Sequence, residues 1–373
     1  MRFRFLNEQP VNSSTSETAF LRAFNMSGLA ENWRRLKGYA LHLAYGSGAL
    51  GVWHKFRNSK NLTVAMFHRV LPPQNKDLHS TANDYAISTD DFRACIEFFA
   101  KHYTVIDLDT LVGALSGNAL PANPLLITFD DGWRDTLEYA APLLLDAKMS
   151  ATCFVIGDAI SALEPRWWSS AIGAYLQTPG AASVIRKEWE MLGEEAPLAW
   201  SQHSGYLVSQ LMFYALPDER RAALIARTTA QDKNAVREML TTEELPRLIR
   251  AGVSIGAHGS THLPLTAISD PEAELVRSRV RLEAAISLTP QKDVTAVSFP
   301  HGKFNHETLA ACGASGFELM FSSSSTLTAV SKGRRIRPVL GRINVARKNF
   351  SKDKGTFSPE RLAHHLFSRK VVA

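Results

Sequence analysis

Two adjacent carboxylates are the first residues in this sequence whose type and spacing could do chemistry. Asp130 and Asp131 lie in the segment Thr128–Gly132, directly after an apolar run that predicts a buried strand. Two buried carboxylates side by side are costly unless a positive group joins them. One of them could bind a cation while its neighbour stays free as a base. The alternative is that one of them caps the helix predicted to follow, because Asp is a common N-cap residue.

A pair of histidines is the second feature. His258 and His262 lie in a His-Gly-Ser-Thr-His segment, directly after a predicted strand that ends at Ala257. Neutral imidazole is the commonest nitrogen ligand for zinc and similar cations. If the segment turns helically, side chains four residues apart share one face. Two histidines with one aspartate would leave positions for water, as catalytic metal sites do, so the pair indicates a metal site.

A third segment, Phe299–Gly302, follows another predicted strand. Pro300 and Gly302 would shape a rigid loop whose backbone N–H groups could face the same pocket. The alternative is an ordinary turn between a strand and a helix.

The elements that would position these segments alternate along the chain. The apolar runs predict strands at Leu62–Phe67, Pro124–Phe129, Ala151–Ile156, Val253–Ala257, Thr295–Phe299, Glu318–Phe321 and Ile336–Arg342. The periodic stretches between them predict helices at Thr89–Lys101 (capped by Ser88), Arg134–Ala147, Thr242–Ala251, Asp270–Ser287 and His306–Ala314. This alternation predicts an α/β fold with a parallel sheet, either open or closed into a barrel.

Two regions depart from that alternation. Residues 1–60 predict an N-terminal helical extension, and residues 161–241 predict a helical insertion that contains four tryptophans. The insertion could line a substrate groove or form a small core of its own. The main domain is expected to span residues 61–345, followed by a basic segment and a helix over residues 346–373.

Composition and charge limit the function classes. The chain has 373 residues and a net charge of +6, with nine Arg or Lys against three Glu in residues 1–60 and nine against one Asp in residues 332–354. These basic segments could meet an anionic membrane surface or an acidic glycan, or they could be solvated. No recognised nucleic-acid motif accompanies the charge, so we expect no nucleic-acid partner.

No leader or membrane-spanning run is evident, which predicts a cytoplasmic protein with peripheral contact at the inner membrane face. Three widely spaced cysteines predict free thiols.

Taken together, the chemical segments resemble the polysaccharide deacetylase family with its NodB homology domain. The resemblance rests on Thr128–Gly132, His258–His262 and Pro300–Gly302, in that order and each after a strand. Met66–Pro72 is similar to an opening common in the bacterial exopolysaccharide-type members. The similarity covers roughly residues 62–345.

That resemblance implies a distorted (β/α) barrel with its site at the carboxyl ends of the strands. It implies a divalent cation, usually zinc, bound by Asp131, His258 and His262, with Asp130 as the catalytic base. The expected function is a metal-dependent hydrolase that removes acetyl groups from N-acetylated sugars of a poly- or oligosaccharide, in exopolysaccharide or cell-surface glycan synthesis.

The sequence departs from the family pattern at three points. An arginine often stands two residues before the motif proline, and this position is Ser298. The residue after the proline is usually tyrosine and here is His301. The late motif ending in a catalytic histidine is not found, and Leu340–Val345 stands in that region. The proton donor therefore stays open between His68 and His301, with Arg342 a further candidate for the pocket.

Two alternative functions also stay open. The same site could serve an O-acetyl esterase or a deformylase on a lipid-linked sugar, because the metal chemistry does not distinguish the acyl group. A non-catalytic glycan-binding protein could also retain the fold.

Overall fold

The computed structural model of the chain describes residues 36–75, 77–78, 85–162, 167, 171, 183, 236–330, 338–351 and 356–372. The chain divides into two units, Met1–Leu50 and Gly51–Ala373. In the first unit, residues 36–46 are helical. Within the described residues, no helix combines the length and the apolar character that crossing a bilayer requires.

Strands and helices alternate through the second unit. The strands are β1 (Asn61–Phe67), β2 (Arg69–Leu71), β3 (Ala86–Ser88), β4 (Thr104–Val105), β5 (Pro124–Phe129), β6 (Ala151–Val155), β7 (Val253–Ala257), β8 (Ala296–Ser298), β9 (Leu319–Phe321), β10 (Thr326–Ala329), β11 (Val339–Leu340), β12 (Ile343–Asn344) and β13 (Lys370–Val372). The helices are α1 (Ala49–Asn58), α2 (Thr89–His102), α3 (Leu108–Leu115), α4 (Ala141–Asp146), α5 (Leu245–Arg250), α6 (Pro271–Ile286), α7 (His306–Ala314), α8 (Arg347–Phe350) and α9 (Pro359–Phe367).

The central sheet has the order β11-β9-β8-β7-β6-β5-β1-β10-β13, in which the row from β11 to β1 is parallel and β10 is antiparallel to β1. Strand β12 also pairs with β1, in parallel. The predicted α/β class is therefore confirmed. Strands β11 and β12 are consecutive in the chain but pair with opposite edges of this row. The segment 339–344 thus bridges the two edges and brings the sheet round towards a barrel.

The bridging segment differs from its prediction. One strand over Ile336–Arg342 was expected, and the described residues instead form two short strands separated by Gly341 and Arg342. The chain leaves one edge and joins the other between them, so a single continuous strand cannot satisfy both pairings. A Cβ atom at Gly341 would lie 2.6 Å from the backbone oxygen of Ser324, so the close approach there requires glycine.

Alternate residues of the strands form one apolar core. The cluster includes Leu62 and Val64 of β1, Leu126 of β5, Ala296 of β8 and Leu340 of β11, and all five are buried. Because successive side chains of a strand point to opposite faces of the sheet, every second residue after these core positions lies on the same side as the core. These are the positions that reach the carboxyl ends of the strands.

Other predictions have mixed outcomes. Ser88 caps α2 as expected, with its hydroxyl accepting a hydrogen bond from Asp91 N. The helix expected over Arg134–Ala147 begins as a π-helical turn, Thr136–Ala140, before α4. Strands β10 and β13 were not predicted. The expected insertion lies mostly outside the described residues. All three cysteines are free and buried, as predicted.

Candidate active site

The polar site lies where the apolar core positions run out. The core includes Val64 of β1, Leu126 of β5 and Leu340 of β11. Further along the chain, and facing the same side of the sheet, lie Met66, Asp130 and Arg342, which line the cavity. The residues on this side therefore change from apolar to mainly charged at the carboxyl ends of the strands. A cavity of about 280 Å³ opens there and is lined by Met66, His68, Tyr85, Asp130, Asp131, His258, His262, Phe299, His301, Gly302, Ser323, Arg342 and Asn344. Every candidate site residue from the sequence lines this one cavity.

Three buried side chains converge as a metal-binding group would. The potential ligand atoms of Asp131, His258 and His262 all lie within 4.8 Å of one another. Asp131 Oδ1 is 3.4 Å from His258 Nε2 and 3.3 Å from His262 Nε2. Tetrahedral bonds of about 2.0–2.1 Å separate two ligand atoms by about 3.3–3.4 Å. The three residues therefore fit a small divalent cation.

The turn after β5 explains how both carboxylates reach one pocket. Asp130 continues the inward parity, whereas Asp131 would point away on a regular strand. Asp131 instead has φ 72° and Gly132 has φ 81°, in the left-handed region that costs a non-glycine residue free energy. Neither aspartate caps the following helix, whose N-cap residue is Asp135 and lacks a side-chain cap bond. The capping alternative is therefore wrong.

The indole of Trp133 holds the reoriented Asp131. Trp133 Nε1 donates a hydrogen bond of 2.8 Å to Asp131 Oδ2, which leaves Oδ1 directed at the histidines. A hydrogen bond to the outer oxygen of a metal-binding carboxylate fixes its orientation. Sequence reasoning missed Trp133, although its place directly after the Asp-Asp-Gly segment was a signal for it.

The histidine pair lies on a loop and not on a helical turn, which corrects the expected geometry. Gly259 has φ 70° and His262 has φ 66°, so the chain between them folds back without helical hydrogen bonds. Glu274 of α6 organises this loop, because its Oε1 accepts hydrogen bonds from Ser260 N, Thr261 N and Thr261 Oγ1 at 2.7–2.9 Å. Glu274 was also missed, since a glutamate in the first turn of a helix gives no distinct signal.

One backbone contact fixes the ring of His258. His258 Nδ1 lies 2.9 Å from the carbonyl oxygen of Ser298. Since a carbonyl can only accept, Nδ1 carries the proton and Nε2 keeps the lone pair that a cation needs. The tautomer suited to metal binding is thus set by β8.

Asp130 is held by an arginine that lies 212 residues away in the chain. Arg342 Nη1 donates to Asp130 Oδ1 at 2.5 Å, and Nη2 donates to Oδ2 at 2.7 Å. Burial opposes ionisation of Asp130, but the charge of Arg342, together with the charge of His258 and the hydrogen bonds from Arg342, keeps the pKa of Asp130 below its usual value. Arg342 is only 1% exposed, so it does not belong to a solvated basic surface.

The two proposed proton donors occupy different surroundings. His68 Nε2 is 4.0 Å from Asp130 Oδ2, and its ring packs edge-on against Tyr85. Burial lowers the pKa of His68. His301 Nε2 is 3.2 Å from the carbonyl oxygen of His262, and burial, followed by the charge of His262, lowers the pKa of His301 to about 3. His301 thus donates its ring proton to the ligand loop.

Asp131 is electrostatically suited to a cation. Burial alone would raise its pKa, but the charge of His262 and the contacts with both histidines hold the pKa of Asp131 well below its usual value. The carboxylate is therefore ionised at neutral pH, and a divalent ion would stabilise this form further.

Comparison with known proteins agrees with this geometry. Residues 117–191 and 218–320 match the family model described as polysaccharide deacetylase. The matched ranges contain Asp130, Asp131, His258 and His262, but they end before Arg342. A search among curated proteins gave no match.

Solved structures share the fold at low sequence identity. The Streptococcus pyogenes deacetylase PplD, in complex with acetate, has a TM-score of 0.53 at 18% identity, over 82% of this chain and 98% of that one. IcaB from Ammonifex degensii gives 0.51 at 16% identity, over 83% and 98%. A polysaccharide deacetylase from Bacillus cereus gives 0.51 at 15% identity, over 82% and 69%. With the matched family model and the site geometry, these findings show that the chain belongs to the polysaccharide deacetylase family.

Proposed function

We propose that this protein is a cation-dependent hydrolase that removes the acetyl group from an N-acetylated sugar of a poly- or oligosaccharide. The observation that carries the proposal is the group Asp131, His258 and His262, set beside Asp130, which lies outside that group. Carbohydrate deacetylases are hydrolases that act on carbon–nitrogen bonds, and this chain belongs to their family. A glycan-binding protein without catalysis would not need a buried carboxylate next to the metal ligands.

The chemistry divides between the two aspartates. When bound, a divalent cation, expected to be zinc, supplies a water of lowered pKa and polarises the acetyl carbonyl. Asp131 would hold the cation with the two histidines. Asp130, kept ionised and oriented by Arg342, would take the proton from the attacking water, which is general base catalysis.

The leaving amine needs a proton, and His68 is better placed than His301 to supply it. His68 Nε2 lies 4.0 Å from Asp130 Oδ2, so a neutral ring at this position could pass a proton from Asp130 to the amine. His301 instead directs Nε2 at the carbonyl oxygen of His262. We therefore propose His68 as the proton shuttle and His301 as a support for the ligand loop.

The size and polarity of the pocket support this substrate class. The cavity of about 280 Å³ formed by the described residues is slightly below the range of about 300–1,000 Å³ typical of small-molecule sites. It suits one acetylated sugar unit at the cation. The similarity of Met66–Pro72 to exopolysaccharide-type members supports a role in exopolysaccharide or cell-surface glycan synthesis.

A panel of acylated sugars tests the proposal. Zinc-loaded protein is incubated with short oligomers of N-acetylglucosamine, N-acetylgalactosamine, O-acetylated sugar and N-formylated sugar, and released acid is measured for each. We expect acetate from an N-acetylated oligomer and about one zinc per chain by elemental analysis. Faster release from the O-acetylated or the N-formylated oligomer would replace the deacetylase by the esterase or the deformylase.

Ligand variants provide the controls. His258→Ala and His262→Ala should each lose most bound zinc and all measurable acetate release. Unchanged zinc content in both variants would contradict the ligand assignment, whatever the activity.

We also propose that the protein contacts an anionic membrane surface through its N-terminal helices. Leu36, Tyr39 and Leu43 are spaced on one face of helix 36–46 and are 60–71% exposed. On α1, Trp53 and Phe56 are also exposed, and Phe56 reaches 83%. Each of these helices also carries an exposed lysine, Lys37 on the first and Lys55 on α1. Apolar side chains with interleaved positive charge are typical of helices that lie in a bilayer interface.

Vesicle sedimentation tests this contact. The full chain should sediment with vesicles that contain anionic lipid more than with neutral ones, and Leu43→Glu with Phe56→Glu should abolish the difference. Leu288→Glu is the matched control, because Leu288 is 99% exposed in a different part of the chain. Equal sedimentation of the double variant and the wild type would refute the proposal.

A further inference from the structure

The loop that follows β8 places an exposed aromatic ring next to the cavity. Phe304 is 39% exposed, whereas Phe299 is fully buried. The two rings stack nearly parallel, with their centroids 5.0 Å apart and their planes 18° from each other. Phe299 lines the cavity. Phe304 thus turns one ring face to a residue of the cavity wall and leaves its other face to solvent.

This ring lies at the same end of the sheet as the candidate active site. β8 runs parallel to its neighbours β7 and β9, and it ends at Ser298. The chain then leaves the carboxyl ends of the strands through Pro300–Gly302 and enters α7 at His306. His301 and Gly302 line the cavity, and Phe304 follows them shortly in the chain. The exposed ring is therefore part of the cavity rim.

The loop holds Phe304 in a fixed position. Gly302 has φ 67°, and a Cβ atom there would lie 3.1 Å from the backbone nitrogen of Ser323, so the loop packs tightly against another residue of the cavity lining. On the other side of Phe304, Asn305 and Thr308 cap α7 reciprocally, with two hydrogen bonds of 2.9 Å. A ring that is fixed before binding loses little conformational freedom when a ligand packs on it.

The size of the cavity leaves the neighbouring sugar of a chain outside it. The cavity of about 280 Å³ suits one acetylated unit, so the next unit must cross the rim. A pyranose ring presents a face of C–H groups between its hydroxyls, and an aromatic ring buries such an apolar face well. Single exposed apolar side chains are common on protein surfaces. Phe304 differs from them because it stacks on a residue of the cavity wall.

We propose that the exposed face of Phe304 is a second sugar-binding subsite, which takes the unit next to the one that is deacetylated. The proposal rests on the proposed function, since it extends the same site along the glycan. It adds that the protein favours a chain over a single sugar, because only a chain reaches both the cation and Phe304.

The dependence of turnover on chain length tests this subsite. The zinc-loaded wild type and Phe304→Ala are compared on N-acetylglucosamine and on its tetramer, with kcat/KM measured for each. In the wild type we expect kcat/KM for the tetramer to exceed that for the monomer. In Phe304→Ala the ratio of the two values should fall about tenfold, as expected for the loss of a partly buried aromatic contact. The loss should lie mainly in KM for the tetramer, because the ring lies outside the reacting group.

Two further variants test whether a flat ring is what matters. Phe304→Tyr keeps the ring and should keep the ratio of the wild type. Phe304→Leu keeps the bulk without the flat face and should lose most of the ratio. Leu145→Ala is the matched control, because Leu145 is 56% exposed on α4, and its ratio should equal that of the wild type. A change that only destabilised the loop would lower turnover of both substrates alike and leave the ratio unchanged.

Titration calorimetry separates this subsite from the proposed function. The metal-free full chain is titrated with the monomer and with the tetramer. We expect the wild type to bind the tetramer more tightly, and Phe304→Ala to lose that difference. If the wild type kept this difference but released no acid from any acylated sugar, the proposed function would fail and the subsite would stand.

Three results would overturn the subsite. They are equal kcat/KM for monomer and tetramer in the wild type, a wild-type ratio in Phe304→Ala, and a wild-type ratio in Phe304→Leu. If the wild type neither binds the tetramer nor turns it over, the subsite is refuted as well. If Phe304→Ala does not fold, the comparison of Phe304→Leu with Phe304→Tyr decides in the same way.

Discussion

Two buried arginine–aspartate pairs flank the turn after β5. They differ in whether the carboxylate faces the cavity. Arg342 and Asp130 meet at the cavity, and Asp130 lines it. Arg69 and Asp135 lie outside the cavity lining, where Asp135 accepts from Arg69 Nε at 2.8 Å and from Val70 N at 3.0 Å. In the Arg342–Asp130 pair, the carboxylate still has oxygen lone pairs that face the pocket. In the Arg69–Asp135 pair, both carboxylate oxygens accept hydrogen bonds that fix β2 to the turn.

The pKa directions of the two aspartates show the same contrast. Burial raises the pKa of Asp135 more than Arg69 can lower it. At Asp130 burial also raises the pKa, but the charges of Arg342 and His258 and the hydrogen bonds from Arg342 together bring the pKa below its usual value. The two residue pairs thus differ in role: one is part of the packing, and the other keeps a carboxylate ionised at the wall of the cavity.

The largest effect should come from Asp130→Asn, which tests the functional pair. An amide keeps the shape of the side chain but cannot take a proton, so we expect kcat to fall about 10³-fold. Bound zinc should stay at about one per chain, because Asp131 and the histidines are untouched. Retained turnover, measured as acetate release per zinc-loaded chain, would remove Asp130 as the base.

Arg69→Met tests the structural pair and should give the opposite result. Removing one partner of a buried ion pair costs about 3–5 kcal/mol, because the other charge stays buried and unpaired. We expect the free energy of unfolding in denaturant to fall by about this amount, while kcat per folded chain stays near the wild-type value. Arg69→Met with Asp135→Asn should recover part of the loss. A large drop in kcat without a loss of stability would make the two pairs equivalent.

The smallest effect concerns Trp133, which links the structural pair to Asp131. Its ring lies under the guanidinium of Arg69 at 4.5 Å, and its Nε1 donates to Asp131 Oδ2. Trp133→Phe keeps an aromatic ring and removes the donor, so we expect zinc affinity to fall about 10–100-fold. Competition with a metal chelator measures the change. An unchanged affinity would mean that the turn geometry alone orients Asp131.

The candidate site residues that directly follow strands could be predicted, because each lies in a short sequence pattern. The apolar run that forms β5 and the Asp-Asp-Gly that follows it are neighbours in the chain, and so are β7 and the two histidines. Parallel strands bring their carboxyl ends to one edge, so the meeting of these segments followed from the alternation of strands and helices. The prediction that a helical turn brings His258 and His262 together was wrong. The two histidines lie on a loop that hydrogen bonds to Glu274 hold in place.

The sequence by itself determined the alternating fold and the meeting of Asp130, Asp131, His258 and His262 at one edge of the sheet, since these follow from residue types at short spacing. Only the tertiary structure decided that segment 339–344 bridges the sheet edges, that Arg342 holds Asp130, that Glu274 shapes the histidine loop and that Asp131 turns at a positive φ. The physical reason is that these contacts join parts of the chain far apart in sequence or depend on backbone angles, and no local periodicity encodes them.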